Sequence, residues 1–144
     1  MYLLCRIVGY DDKYICVRHL SMKIAFFADL HLDNRNYGGE DKDGLTFRSH
    51  DHMRSFSWGI KLVIEHIRPE TVFILGDIYE SPNPANNVRE FFNTQIRLLS
   101  DQNIQTHILF GNHDACKQHH AIQPLLGIAL SNIHIHYHAC SIEL

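Results

Sequence analysis

Phe110-Gly111-Asn112-His113-Asp114 directly follows the β-type run Thr106-His107-Ile108-Leu109. Two earlier junctions have the same form. Residues 23–28, Lys-Ile-Ala-Phe-Phe-Ala, run into Asp29-Leu30-His31, and residues 71–75, Thr-Val-Phe-Ile-Leu, run into Gly76-Asp77. Short, almost continuously apolar runs are the pattern of strands buried on both faces. In open α/β sheets, ligands bind beyond the carboxyl ends of the strands. Three such ends side by side therefore gather Asp29, His31, Asp77, Asn112 and His113 into one cluster.

The segments between the strands read as helices. Phe56, Ile60, Val63, Ile64 and Ile67 share one helical face, which predicts a helix over 47–67 that Pro69 stops. Ser81-Pro82-Asn83-Pro84 reads as a rigid turn, with Pro84 suited to the first turn of a second helix reaching about residue 100. In that helix Val88, Phe91, Phe92, Gln95, Ile96 and Leu99 point inward. A short helix over 124–130 and a fourth strand over 133–137 complete a β-α-β-α-β-α-β order. Crossover-length connections predict a parallel sheet with helices on both faces, an α/β fold. Asp41-Lys42-Asp43-Gly44 lacks the spacing of a calcium loop.

At 144 residues, 45% hydrophobic and 20% charged, the chain suits one globular domain with a proper core. A net charge of −3 excludes the broad basic surface of a self-sufficient nucleic-acid binder, though bound cations offset carboxylates. Cys5, Cys16, Cys116 and Cys140 form no Cys-x-x-Cys pair, as expected of reduced thiols in a cytoplasmic protein. No apolar run reaches the length of a membrane span, so no membrane association is expected. Residues 1–21 stand apart as an N-terminal extension, either a β-hairpin about Gly9-Tyr10-Asp11-Asp12 or sequence upstream of a natural start at Met22. The domain proper is 22–144.

The donor set suits hydrolysis of a phosphodiester, which is anionic and has a poor leaving group. Two divalent ions about 3.5–4 Å apart neutralise the phosphate and stabilise both the attacking and departing oxygens. Holding two such charges close needs a bridging anion, and Asp77 at the middle strand end is placed for it. Asp29 and His31 alternate along an extended segment and grip the first ion, while Asn112 offers an amide oxygen to the second. Oxygens mixed with imidazole suit manganese, magnesium, iron or zinc, and geometry decides among them. His113 then serves as a general acid or phosphate ligand, oriented by Asp114 from behind. Arg35, Tyr37 and Arg48 flank the cleft as candidate contacts to a nucleic-acid backbone or base.

The remaining histidines read more plainly. His134, His136 and His138 share a partly exposed strand face, and His119-His120 sits at the mouth or on a solvated helix start. His50, His52 and His66 lie on the first helix with solvent as the default, and His107 is a satisfied core histidine.

With Asp29-x-His31, Gly76-Asp77 and Gly111-Asn112-His113-Asp114, the chain resembles the calcineurin-like metallophosphoesterases over about 22–137. The resemblance implies a helix-flanked β-sandwich whose first half is a β-α-β-α-β run. Gly76-Asp77-Ile78-Tyr79-Glu80-Ser81-Pro82, with the later Pro124-Leu125-Leu126 and Asn132-Ile133-His134, is more similar to the SbcD-type DNA repair exonucleases than to the protein phosphatases. That branch implies a manganese-dependent exo- and endonuclease acting on DNA with an SbcC-type coiled-coil ATPase, and admits a homodimer. The family completes its site with a Gly-His and a Gly-His-x-His on later strands, and no Gly-His dipeptide occurs here. The chain is therefore expected to be the N-terminal part of a catalytic domain, with weak metal binding. A small-molecule phosphoesterase and a non-catalytic remnant used for binding or assembly are the alternatives.

Overall fold

The computed structural model describes residues 5–10, 13–18, 22–35, 39–111, 113–114, 130–137 and 141–142, the first two segments as backbone alone. Strands β1 (Cys5–Tyr10) and β2 (Lys13–Arg18) pair antiparallel. The strands β3 (Ile24–Ala28), β4 (Thr71–Leu75), β5 (Gln105–Leu109) and β6 (Ile133–His136) form one parallel sheet in that order. Helix α1 (Phe47–Leu62) connects β3 to β4, and α2 (Asn86–Asp101) connects β4 to β5.

The register fixes the position of the site. Ala28 pairs with Leu75 and Leu75 with Leu109, so three strands end level and their following residues lie side by side. Pairing continues past the strands: the amides of His31 and Leu32 donate to the carbonyls of Asp77 and Ile78, each at 2.9 Å.

Both described helices cover the same face, which corrects the expectation of helices on both. Phe27 of β3 packs edge-on against Phe56 of α1, and Phe56 packs in turn on Phe91 and Phe92 of α2. Val72, Ile74, Thr106 and Ile108 point into this layer and are fully or almost fully buried, with Ile60, Val63, Val88, Ile96 and Leu99 above them. The cause is strand order. Right-handed crossovers between strands added always in one direction put every helix on one side, and covering both sides needs a reversal that β3-β4-β5-β6 lacks. The helix-flanked half-sandwich, by contrast, matches what is seen.

Smaller departures are local. The first helix ends in a π-helical turn, Val63–Ile67, closed by Arg68 at φ +49, before Pro69 can interrupt the hydrogen-bond ladder. The second begins at Asn86 behind Ala85, so Pro84 precedes the helix instead of occupying its first turn. The predicted helix over 124–130 falls almost wholly outside the described residues. No helix among the described residues is long and apolar enough to cross a membrane.

On the opposite face, Phe26, Phe73, His107 and His134 stand at one register and stack across all four strands, with ring centroids 5.4, 5.1 and 4.8 Å apart. This face is open: Phe26 is 62% and Leu75 43% exposed. Partial burial, then the neighbouring His134 and His136, holds the His107 pKa below its usual value. No other ionisable group lies on this face of the four strands. The unfolded chain thus takes up this proton at a higher pH than the native one. The contribution is complete above the unfolded pKa of about 6.5 and is lost as pH falls through it. A His107→Phe variant keeps the stack and should show a smaller drop in urea midpoint between pH 7.5 and 5.5 than the wild type. Equal drops would refute the assignment.

Candidate metal centre

The site begins with backbone that most side chains avoid. Asp29, His31 and Asp77 have φ values of +52, +41 and +47, and Gly76 lies at +74. Non-glycine residues in this region cost on the order of 1–2 kcal/mol each, and such strain concentrates where function fixes geometry. Two glycines make the crossing possible. A Cβ on Gly111 would lie 2.1 Å from Asp77 Oδ1 and 2.2 Å from the Asp77 nitrogen, and one on Gly76 would lie 2.8 Å from the Gly111 Cα. The loops after β4 and β5 therefore touch backbone to backbone.

One potential ligand atom from each of Asp29, His31 and Asp77 falls within 4.8 Å of the others. His31 Nδ1 is buried and makes no aligned hydrogen bond, although Glu80 Oε2 lies 3.0 Å away. Two carboxylates and an imidazole this close, one ring nitrogen lacking a donor or acceptor in line, fit a divalent cation. Beside Asp29 opens a cleft of about 290 Å³ lined by Phe27, Leu30, His52, Ser55 and Phe56.

His113 joins the cluster edge-on to His31, with ring centroids 5.4 Å apart. Its Nδ1–H donates to the Glu80 carbonyl at 3.1 Å, and its backbone N–H donates to Asp77 Oδ1 at 3.2 Å. The first of these bonds fixes the tautomer of the neutral ring as Nδ1–H. It is also the main reason the His113 pKa is raised, helped by the charges of Asp77, Glu80 and Asp114 and opposed by desolvation.

Asp114 is fully buried, and its carboxylate is occupied otherwise than expected. Oδ1 accepts from the Tyr79 amide at 2.9 Å, and Oδ2 from the amides of Gly111 and Ile78 at 2.9 and 3.2 Å. Those bonds tie the two loops together, while the imidazole of His113 is held by Glu80. Burial raises the Asp114 pKa against these three donors, which favour the anion.

Two supporting residues escaped sequence reasoning. Glu80 touches both imidazoles of the site, and its own amide donates to Asp33 Oδ1 at 2.6 Å. Asp33 is buried, which raises its pKa, and its Oδ2 has no hydrogen-bond partner. Glu80 follows Gly76-Asp77 by three residues, and only that proximity could have flagged it. His52, expected in solvent, is half-buried and donates through Nδ1 to the His31 carbonyl at 2.9 Å.

The structure thus brings together Asp29, His31, Asp77 and His113. Arg35 and Arg48 are exposed charges outside the three-donor cluster. Asn112 and Tyr37 lie outside the described residues, as do His119, His120 and His138.

The profile of the calcineurin-like phosphoesterase family matches residues 22–141. The chain belongs to that family. Calcineurin-like phosphoesterases are dimetal hydrolases, and the Asp29-His31-Asp77 cluster is where this chain offers metal ligands. The DNA double-strand break repair protein Mre11 of Methanococcus maripaludis is 34% identical over 103 residues, 72% of this chain and 26% of the relative. Mre11 of Aeropyrum pernix is 32% identical over 64% of the chain and 21% of the relative. An uncharacterized metallophosphoesterase, YhaO of Bacillus subtilis, is 30% identical over 60% of the chain and 22% of its own length. The chain thus spans about a quarter of the length of the curated relatives it matches.

Proposed function

We propose that this chain carries the metal-gripping part of a phosphodiester hydrolase of the DNA repair nuclease type. The observation that carries the reading is the convergence of Asp29, His31 and Asp77 at level strand ends. The similarity to two Mre11 proteins named for double-strand break repair supports DNA as the substrate. Two divalent ions, manganese first, would polarise the phosphate and supply a hydroxide nucleophile near neutral pH. Asp29, His31, Asp77 and Asn112 are the residues that would hold these ions. As an imidazolium, favoured by the Glu80 carbonyl that accepts from its Nδ1–H, His113 would donate a hydrogen bond or proton through Nε2–H to the phosphate or leaving oxygen. Asp114 acts through the loops it joins. Arg35, Tyr37 and Arg48 are the proposed contacts to the nucleic-acid backbone, and an SbcC-type coiled-coil ATPase is the proposed partner.

Manganese titration followed by the loss of free-ion paramagnetic signal tests the metal step. Asp77→Asn should weaken binding about 100-fold or more, since the bridging charge goes while the shape stays. Unchanged affinity in that variant would refute the site. Substrate class is tested separately. Manganese-dependent degradation of linear duplex DNA supports the nuclease reading, whereas turnover of a nitrophenyl phosphate ester alone points to a small-molecule phosphoesterase. At most one weakly held ion and no turnover, even with a C-terminal half supplied, points to a binding or assembly module.

A further inference from the structure

We propose that Asp33 is a positioning residue for His113, acting through the peptide groups of Glu80. Residues 76–85, which join β4 to α2, form neither helix nor strand. The amides of Ile78, Tyr79 and Glu80 in that stretch are held instead by two buried carboxylates from the neighbouring loops. Asp114, beyond β5, takes the first two, and Asp33, beyond β3, takes the third at 2.6 Å. The Glu80 carbonyl in turn accepts from His113 Nδ1–H at 3.1 Å. Two hydrogen bonds thus run from Asp33 through Glu80 to the imidazole.

Asp33 is itself fixed on both sides. The Leu32 amide donates to the Ile78 carbonyl at 2.9 Å. The Asn34 carbonyl accepts from the Thr46 and Ser49 hydroxyls, at 2.5 and 2.9 Å, where α1 begins. Asp33 is 2% exposed, and its Oδ2 has no hydrogen-bond partner. Burying a carboxylate with one oxygen unused is unfavourable, so the bond made by the other oxygen must matter. Without that acceptor the Glu80 peptide can turn, and its carbonyl leaves the ring.

A carbonyl only accepts, so a neutral His113 carries its proton at Nδ1 for as long as Glu80 holds it. What the imidazole does to a phosphate rests on the hydrolase reading above. Which nitrogen carries the proton does not.

The test is long-range proton–nitrogen NMR of the metal-free chain at alkaline pH, where the ring is neutral, with His113 assigned by its loss in His113→Gln. The wild type is expected as the Nδ1–H tautomer. Asp33→Ala should lose that signature, the two ring nitrogens moving toward averaged shifts. Asp33→Asn should restore it, because its amide oxygen still accepts from Glu80 and Oδ2 has no partner to lose. Glu80→Gln should keep it too, since the carbonyl and not the side chain holds the ring. An Asp33→Ala protein that unfolds at lower urea yet keeps His113 as Nδ1–H would overturn the proposal and leave Asp33 as a structural brace only. A wild type with the proton at Nε2 would overturn it as well. Should Asp33→Ala fail to fold, Asp33→Ser, whose hydroxyl is too short to reach the Glu80 amide, takes its place with the same expected loss. Metal and substrate are absent throughout, so a chain that binds no manganese and cleaves no DNA sinks the hydrolase reading and not the tautomer result.

Discussion

Gly111→Ala is expected to abolish manganese binding at the Asp29-His31-Asp77 cluster and to cost about 3 kcal/mol or more of stability. The added Cβ would meet the Asp77 backbone nitrogen at 2.2 Å and its Oδ1 at 2.1 Å, and neither atom is free to retreat. The Asp77 carbonyl accepts from His31, and the next two amides, Ile78 and Tyr79, are held by Asp114. Relief must therefore come by parting the loops that bring the ligands together. Gly59→Ala provides the contrast. Its Cβ would meet only the far edge of the Phe27 ring, at 2.8 Å, which a small rotation relieves. That variant should keep its metal site and lose on the order of 1 kcal/mol or less. Urea unfolding and manganese titration of both variants check the pair. Wild-type manganese affinity in Gly111→Ala would show that the loops do not position the ligands.

What could be read from the chain beforehand divides along a physical line. Strands β3, β4 and β5 announce themselves as short, nearly continuous apolar runs, although the face bearing Phe26 and Leu75 is exposed, and the helices because their buried stripes recur at helical spacing. The cluster at 29, 31 and 77 was legible for the same reason, since parallel strands in register place their ends level. Handedness was not. One-sided helix cover follows from strand order, which periodicity does not encode, and the exposed ring of Phe26 looks like a core residue in sequence. The positive φ angles of Asp29, His31 and Asp77 were equally hidden, because Asp and His enter the left-handed region more often than most side chains yet rarely enough that their presence does not mark it as glycine would. Glu80 and Asp33 were missed because their roles arise from hydrogen bonds between loops 47 residues apart in the chain.

Asp114→Ala is the second large effect, and it separates two roles that the sequence could not. As a brace, the carboxylate satisfies the amides of Gly111, Ile78 and Tyr79 in a fully buried position. Removing it strands three donors at about 1–3 kcal/mol each, partly relieved by water entering the space, so a loss of about 3–5 kcal/mol is expected. Asp114→Asn is the sharper probe. One amide oxygen replaces an acceptor, but the NH₂ then points donors at a backbone donor, and about 2–4 kcal/mol should still be lost. Had Asp114 served to orient His113, the same substitution would spare stability and impair only chemistry. The imidazole is instead held at Nδ1 by the Glu80 carbonyl, a contact that Asp114→Asn leaves untouched. Denaturation midpoints decide between them: an Asn variant as stable as the wild type would return Asp114 to the imidazole and remove it from the junction of the loops.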